Sequence, residues 1–307
     1  MSTPSAPPSV AIIILTWNGR NMTLACLDSV RRIDYPNFQV IVVDNGSQDG
    51  TAGEVARLHP EVTVIRNSEN LGFSEGNNAG IRPALAAGFD YILLLNNDTA
   101  VHPAMLTELV AASEQDPRIG ITGPLIYFLE QPEVVWSAGN SLDWANGEVR
   151  RLTVARGDGS HAPYETDYVT GCALCIRRRV IEDIGLMDAR FFLYYEDVDW
   201  CCRARQHGYR IVVVPRAVMW HKVSGSISQE AAATAYYMAR NQLLFLQKNL
   251  RGPRRLAAVA AAGAQHVRLL AGERFGKRPR ASRESSLAHL AALRDGLLGR
   301  SGHAYRY

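Results

Sequence analysis

The amino-terminal part of the chain repeats one pattern: a short apolar run stops at a polar cluster, and a stretch of helical periodicity follows. Val10-Ala11-Ile12-Ile13-Ile14-Leu15-Thr16 ends at Trp17-Asn18-Gly19. Gln39 to Val43 ends in Asp44-Asn45-Gly46-Ser47, Val62 to Ile65 leads to a loop from Asn67 to Gly72, and Tyr91-Ile92-Leu93-Leu94-Leu95 stops at Asn96-Asn97-Asp98-Thr99. Apolar runs without alternation predict strands buried on both faces, as in a parallel sheet covered by helices. The intervening segments predict a helix capped by Asn21 and running to about Arg32, another to Leu58, and a third from Phe73 to Ala87 closed by Gly88. Strands alternating with helices indicate an α/β, doubly wound fold. Parallel strands bring their carboxyl ends to one edge, so these polar clusters should line a single crevice, where ligands bind in open α/β sheets.

The later pattern is less regular. Pro103 suits the first turn of a helix reaching about Gln115, and residues 119–190 alternate short apolar runs with Gly, Pro and Asn. That stretch predicts a second half of the sheet with loops shaping a substrate pocket. Glu196 to His207 reads as a helix with Asp199 and Arg203 as an i,i+4 pair. A strand from Tyr209 to Val214 breaks at Pro215, and a second run, Ala217 to Trp220, ends at His221. Ala-rich helices follow at Gln229 to Leu250, Arg254 to Leu270 and Arg283 to Leu298. The expected division is a disordered Pro- and Ser-rich segment at 1–9, a catalytic domain at 10–228, and a helical, basic extension at 229–307.

Composition adds bounds. With 307 residues, 47% hydrophobic and 21% charged, the chain is of ordinary globular make-up. No run approaches the ~20 apolar residues of a membrane span and no signal peptide opens the chain, so a cytoplasmic location is expected. The odd number of cysteines, five, lacks metal-knuckle spacing and predicts reduced, buried thiols. A net charge of +3 hides an asymmetry: residues 251–307 hold twelve Lys and Arg against three acids. Basic amphipathic helices lie on anionic membranes, so peripheral association with an anionic membrane surface is expected, with a homo-oligomer contact as the alternative. Nucleic acid is not an expected partner, because aromatic residues are not interleaved with the cations.

Two stretches carry candidate chemistry. Asp98, flanked by two amides and a hydroxyl, suits a hard divalent cation carrying a diphosphate. Glu196 and Asp197 follow the aromatic run Phe191-Phe192-Leu193-Tyr194-Tyr195 at a helix start, where the dipole should hold an aspartate ionised. Either acid is a candidate general base, or a plain helix cap. His221 is either structural or a metal ligand beside Asp98, and imidazole suits Mn²⁺ better than Mg²⁺.

The motifs from Val10, Val42, Asn70 (Asn-Leu-Gly-Phe-Ser-Glu-Gly-Asn-Asn-Ala-Gly-Ile), Leu93 and Phe192 (Phe-Leu-Tyr-Tyr-Glu-Asp-Val-Asp-Trp) resemble family 2 glycosyltransferases, and within them the bacterial rhamnosyltransferase-like branch. The resemblance covers about residues 8 to 250. It implies a GT-A fold, a nucleotide-sugar donor, a saccharide or lipid-linked saccharide acceptor, a divalent cation (Mn²⁺ or Mg²⁺) and inversion at the anomeric carbon. It places Thr16, Asn18 and Asp44 on the nucleoside with Asn45 beside them, and Gly72, Phe73, Asn77 and Asn78 along the nucleotide or sugar. Asn96-Asn97-Asp98 stands where the family has its Asp-x-Asp metal motif. Asn96 replaces the first aspartate, so Asp98 is left with His221 as metal ligands and Asn97 beside the donor. Glu196-Asp197 matches the Glu-Asp motif, with Asp197 as base. Rhamnose from a dTDP donor is the first choice, with another dTDP-, UDP- or GDP-sugar open. A nucleotidyltransferase would be expected to carry a Gly-rich, basic loop after the first strand, which Leu15-Thr16-Trp17-Asn18-Gly19 is not. A catalytically inactive binding subunit is disfavoured by the intact acids.

Overall fold

A computed structural model describes residues 6–153, 161–223, 229–274 and 283–302. The amino-terminal half alternates β1 (Val10–Thr16), α1 (Arg20–Val30), β2 (Phe38–Asp44), α2 (Thr51–Leu58), β3 (Thr63–Arg66), α3 (Gly72–Ala87) and β4 (Tyr91–Asn96). These strands pair in parallel in the order β3-β2-β1-β4. The run Val10 to Ile14 is buried on both sides: Val10, Ile12 and Ile14 pack with Leu27 and Val30 of α1, and Ala11 and Ile13 pack with Ile81 and Ala84 of α3. Asn21 does not cap α1. The helix begins at Arg20, its cap position is Gly19 with no side-chain hydrogen bond, and Asn21 lies inside the first turn.

The second half adds β5 (Thr99–Val101), α4 (Met105–Gln115), β6 (Ile119–Phe128), β7 (Val135–Ser137), the hairpin β8 (Asn140–Asp143) and β9 (Glu148–Arg151), β10 (Tyr164–Glu165), β11 (Ala173–Arg177), α5 (Arg178–Ile184), α6 (Glu196–Gln206) and β12 (Arg210–His221). The sheet continues from β4 through β11 and β6 to β12, with β11 antiparallel to both its neighbours. Pro103 precedes α4 by two residues and sits in a turn. Residues 119–128 form a single strand, although Gly120, Gly123 and Pro124 read as turn formers. Gly123 serves packing, since a Cβ there would lie 2.7 Å from Val169. The two runs either side of Pro215 are likewise one strand, whose register against β6 shifts between Val214 and Val218. A bulge accommodates the residue that cannot donate to a ladder.

The chain closes with α7 (Gln229–Asn249), α8 (Gly252–Arg274) and α9 (Arg283–Leu297). Leu243, Phe245 and Leu246 of α7 belong to the same apolar cluster as the sheet face covered by α3 and α6, so α7 is packed on the sheet-bearing body. All five cysteines are buried free thiols. Among the described residues no helix is long and apolar enough to cross a membrane.

Candidate functional site

The carboxyl end of β4 turns sharply at Asn97 and Asp98 into β5, a strand of three residues that the sequence pattern did not predict. β5 pairs antiparallel with the end of β12, Thr99 opposite His221. That pairing, with the Lys222 amide donating to the Asp98 carbonyl at 2.8 Å, brings together residues 123 positions apart. His221 Nε2 lies 3.1 Å from Asp98 Oδ1. Even so, Asp98 Oδ1 and His221 Nδ1 are buried and have no hydrogen-bond partner. A buried carboxylate oxygen without a donor is costly, and an imidazole facing it completes a donor set that suits a divalent cation. Among the described residues no three His, Cys, Asp or Glu side chains converge, so an ion here would take its other ligands from a substrate diphosphate and water.

The second acidic pair sits at the start of α6, after a turn of unusual backbone. Phe192, Tyr194 and Tyr195 all have positive φ, at 60°, 69° and 70°. Each such non-glycine residue costs ~1 kcal/mol or more, so the turn must be held from outside. Asn241 of α7 holds it: its side-chain amide donates to the carbonyls of Phe191, Leu193 and Tyr194 at 2.7, 2.7 and 2.8 Å. The neighbouring Arg240, fully buried, donates to the Phe191 carbonyl at 2.9 Å and to the Gly302 carbonyl at 2.6 Å. Tyr195 Oη donates to the Gly147 carbonyl at 2.8 Å. From the other side the Phe73 amide donates to the Phe192 carbonyl at 2.6 Å. Gly72, at φ 79°, is required here because a Cβ would come within 2.5 Å of the Phe192 ring.

This scaffold points Glu196 and Asp197 into a cavity of about 630 Å³ that also receives Asp98, His221, Phe73 and Asn96. Asp197 Oδ2 accepts from the Gly171 amide at 2.9 Å, and Oδ1 accepts from the Val198 amide at 2.8 Å. The helix start does not settle its ionisation in the expected sense. Burial raises the Asp197 carboxyl above its usual range, and the amide hydrogen bonds only partly offset this. Burial, with Asp197 beside it, raises Glu196 further, and Glu196 Oε2 has no partner. Asp199 takes no part: fully buried, it is held by Arg203 at 2.9 Å and Lys248 at 2.7 Å. Two residues that sequence reasoning missed share the cavity wall, Trp136 and Arg151. The Trp136 ring packs edge-on against His221 with centroids 4.7 Å apart, and the Arg151 guanidinium stands 4.4 Å from the same ring.

The residues expected to hold a nucleotide cluster at the ends of β1 and β2 and the start of α3. Thr16 accepts from Asn97 Nδ2 at 3.1 Å and from the Thr23 hydroxyl at 2.8 Å, linking the end of β1 to the Asn-Asn-Asp turn. Asn18, at φ 50°, binds the following loop through the Ser47 hydroxyl and the Gln48 amide. Asp44, almost fully buried, accepts from the Ser47 amide at 3.0 Å. Asn45 and Asn78 are already engaged. Asn45 clasps Asn67, Asn70, Leu71 and Gly72, while Asn78 bonds both the amide and the carbonyl of Met187. Asn77 donates to the Phe73 carbonyl one turn back at 2.9 Å.

The family described as "Glycosyltransferase like family 2" matches residues 7–242. Among curated proteins, the chain is 30% identical over 242 residues to an uncharacterized protein y4gI of Sinorhizobium fredii, covering 73% of this chain but only 25% of that one. It is 24% identical to the dTDP-rhamnosyl transferase RfbF of Shigella flexneri, covering 78% of this chain and 81% of that protein. It is 28% identical to the N-acetylglucosaminyl-diphospho-decaprenol L-rhamnosyltransferase of Mycobacterium tuberculosis, covering 67% and 74%. Among solved structures it superposes on the mannosyltransferase PcManGT of Pyrobaculum calidifontis, determined with GDP-Man and Mn²⁺, with a TM-score of 0.58 at 19% identity over 96% of this chain and 88% of that one. Likeness at that identity speaks to the fold, which is GT-A.

Proposed function

The chain belongs to the family 2 glycosyltransferases, and from that footing we propose that it moves a sugar, with inversion, from a nucleotide-sugar donor to a hydroxyl of a saccharide or lipid-linked saccharide acceptor in surface polysaccharide synthesis. L-Rhamnose from dTDP-L-rhamnose is the first choice, supported by the activities for which the Shigella and Mycobacterium relatives are named. The observation that carries the proposal is one cavity into which Asp98, His221, Glu196 and Asp197 all project, with Asp98 Oδ1 facing His221 Nε2 at 3.1 Å and His221 Nδ1 and Glu196 Oε2 without hydrogen-bond partners.

Asp98 and His221 would hold a divalent cation, Mn²⁺ or Mg²⁺, which when bound neutralises charge on the leaving diphosphate. Thr16, Asn18, Asp44 and Asn97 frame the nucleoside end. Asn45, Asn77 and Asn78 fix the loop and helix that carry Gly72 and Phe73 to the cavity. Asp197 takes the proton of the acceptor hydroxyl, and its raised carboxyl makes it a better base than an exposed aspartate, because proton transfer is most efficient when the base titrates near working pH. Glu196, whose carboxyl burial raises further, stands beside it on the same wall. No enzyme nucleophile is needed, since a metal and one base suffice for a single displacement. A panel of dTDP-, UDP- and GDP-sugars, scored for acceptor-dependent release of the nucleoside diphosphate with Mn²⁺ and with Mg²⁺, tests the proposal. Release by none of them would overturn it.

We further propose that residues 10–228 carry the catalytic chemistry and that 229–307 add a helical extension that places the enzyme on the inner face of the cytoplasmic membrane. Support comes from exposed Leu256 and Val267 of α8 and Leu287, Leu290 and Leu297 of α9, in a segment rich in arginine. The basic residues Lys277, Arg278 and Arg280 lie outside the described residues. Flotation with anionic vesicles at low salt and release at high salt is the expected result, and salt-independent behaviour would favour an oligomer contact.

A further inference from the structure

The cavity wall carries three carboxylates, Asp98, Glu196 and Asp197, yet among the described residues only one Lys or Arg, Arg151. Among the described residues Arg151 forms no ion pair with a carboxylate, and its charge rests 4.4 Å from the Trp136 ring centroid. Trp136 is itself 9% exposed, and its indole N–H is buried without an acceptor. An exposed cation without an ion pair and a buried indole N–H without an acceptor thus belong to neighbouring side chains on one wall. A buried donor without a partner costs free energy that an incoming acceptor recovers. A sugar hydroxyl would satisfy the indole but make no use of the exposed guanidinium's charge. A phosphate offers oxygens to both and matches the guanidinium fork.

The topology says which phosphate. Thr16 and Asp44 end β1 and β2, on one side of β4 in the sheet order, whereas Trp136 lies on β7, which pairs with β6 on the other side. By contact Asp98 and His221 stand between: Thr16 bonds Asn97, Asp98 meets His221 at 3.1 Å, and the His221 ring packs on Trp136. The hairpin carrying Arg151 is fastened to this far side by Asn140, directly opposite Arg151 in register, whose side chain donates to the Tyr168 carbonyl at 3.2 Å. With the nucleoside at β1 and β2 and its diphosphate at Asp98 and His221, Trp136 and Arg151 face whatever approaches from the acceptor side. Resting on the function proposed above, we propose that Trp136 and Arg151 form a subsite for a phosphate carried by the acceptor, so that the enzyme selects acceptors with a phosphate or diphosphate next to the sugar that is extended.

Calorimetric titration of the full chain tests this in two arms. In the first, UDP, dTDP and GDP are titrated with Mn²⁺ present, which reports on the donor end. In the second, hexyl diphosphate and the neutral hexyl glucoside are titrated into the enzyme saturated with Mn²⁺ and the nucleoside diphosphate that binds. Wild type should bind hexyl diphosphate and not the glucoside. Arg151→Gln should weaken hexyl diphosphate by about tenfold to a hundredfold, the span of a hydrogen bond to a charged group, with nucleoside diphosphate affinity little changed. Trp136→Phe, which keeps the ring but removes the N–H, should weaken hexyl diphosphate by a smaller factor, and Arg151→Lys should fall between wild type and Arg151→Gln. Equal weakening of nucleoside diphosphate and hexyl diphosphate by Arg151→Gln would assign the cation to the donor's leaving phosphate and overturn the proposal. Hexyl diphosphate binding indifferent to Arg151 would also overturn it. If no nucleoside diphosphate binds wild type, the glycosyltransfer proposal fails instead, and the hexyl diphosphate titration without nucleotide still decides the role of Arg151.

Discussion

The parallel strands β1 to β4 and the turn at residues 191–195 place functional groups by opposite means. In the first region each polar cluster sits at the end of the strand that presents it, and nearby residues fix it: Asp44 by Ser47, Thr16 by Thr23, Asn45 by Asn70 and Gly72. In the second, backbone that no local preference favours is held by Asn241 and Arg240, far along the chain, and by the Gly147 carbonyl. The ends of β1 and β2 are thus fixed by residues of the first hundred, whereas the turn before Glu196 and Asp197 is fixed from a later helix. Substitutions in the two regions should fail differently.

The largest effect is expected at Asp197→Asn. Transfer should fall by about 10²–10⁴-fold, the usual contribution of general-base catalysis, while nucleoside diphosphate binding stays near wild type by calorimetry. Transfer within about tenfold of wild type, only ~1.4 kcal/mol of barrier, would move the base to Glu196. Next, Asn241→Leu removes the donors that hold the strained turn without touching the cavity. The expected outcome is a drop in kcat of roughly 10²-fold, what a misplacement of about 1 Å costs, with donor KM nearly unchanged. A rise in donor KM with kcat intact would erase the contrast between the two regions. Asp98→Ala and His221→Ala sharpen it from the other side: each should weaken Mn²⁺-dependent nucleotide binding by a similar factor, since each removes one direct ligand. Mn²⁺ affinity unchanged in the His221 variant would return that residue to a structural role.

The smallest effect concerns stability. Because burial raises the Glu196 carboxyl, the folded state holds that proton more tightly than the unfolded chain does. Stability from this group is therefore full below the ordinary glutamate range and is lost as pH rises toward the raised folded value. Glu196→Gln should raise the midpoint of urea unfolding at pH 8 and leave it nearly unchanged at pH 4, and equal midpoints at pH 8 would show that Glu196 ionises freely in the fold.

The same division explains what could be read from sequence. The parallel half is legible because buried strands and their terminal clusters are contiguous in the chain, so Val10 to Thr16 and Tyr91 to Asp98 announce both an element and its ligand-facing end. The acidic pair is legible as a motif, but its raised carboxyls are not, since burial comes from the cavity and not from the helix start. Pairing of β5 with β12 rests on three residues, too few for periodicity to register, yet it alone explains why Asp98 meets His221. Gly120 and Gly123 interrupt the apolar pattern in sequence and prove to be close-packing positions inside β6. Trp136 and Arg151 left no signal, because a tryptophan and an arginine on separate short strands are unremarkable until the fold stacks them.

The contact between residue 302 and the turn at 190 also sets an order of events. Gly302 donates through its amide to the Arg190 carbonyl at 2.8 Å and accepts from Arg240 at 2.6 Å. A nascent chain that has emerged as far as α6 already carries Glu196 and Asp197, yet the turn before them lacks its braces. At synthesis speeds of about 5–20 residues per second, Asn241 follows within a few seconds and residue 302 several seconds later. Completion of the turn therefore waits for α7 and residue 302, and a chain truncated before α7 should leave Glu196 and Asp197 on an unbraced turn.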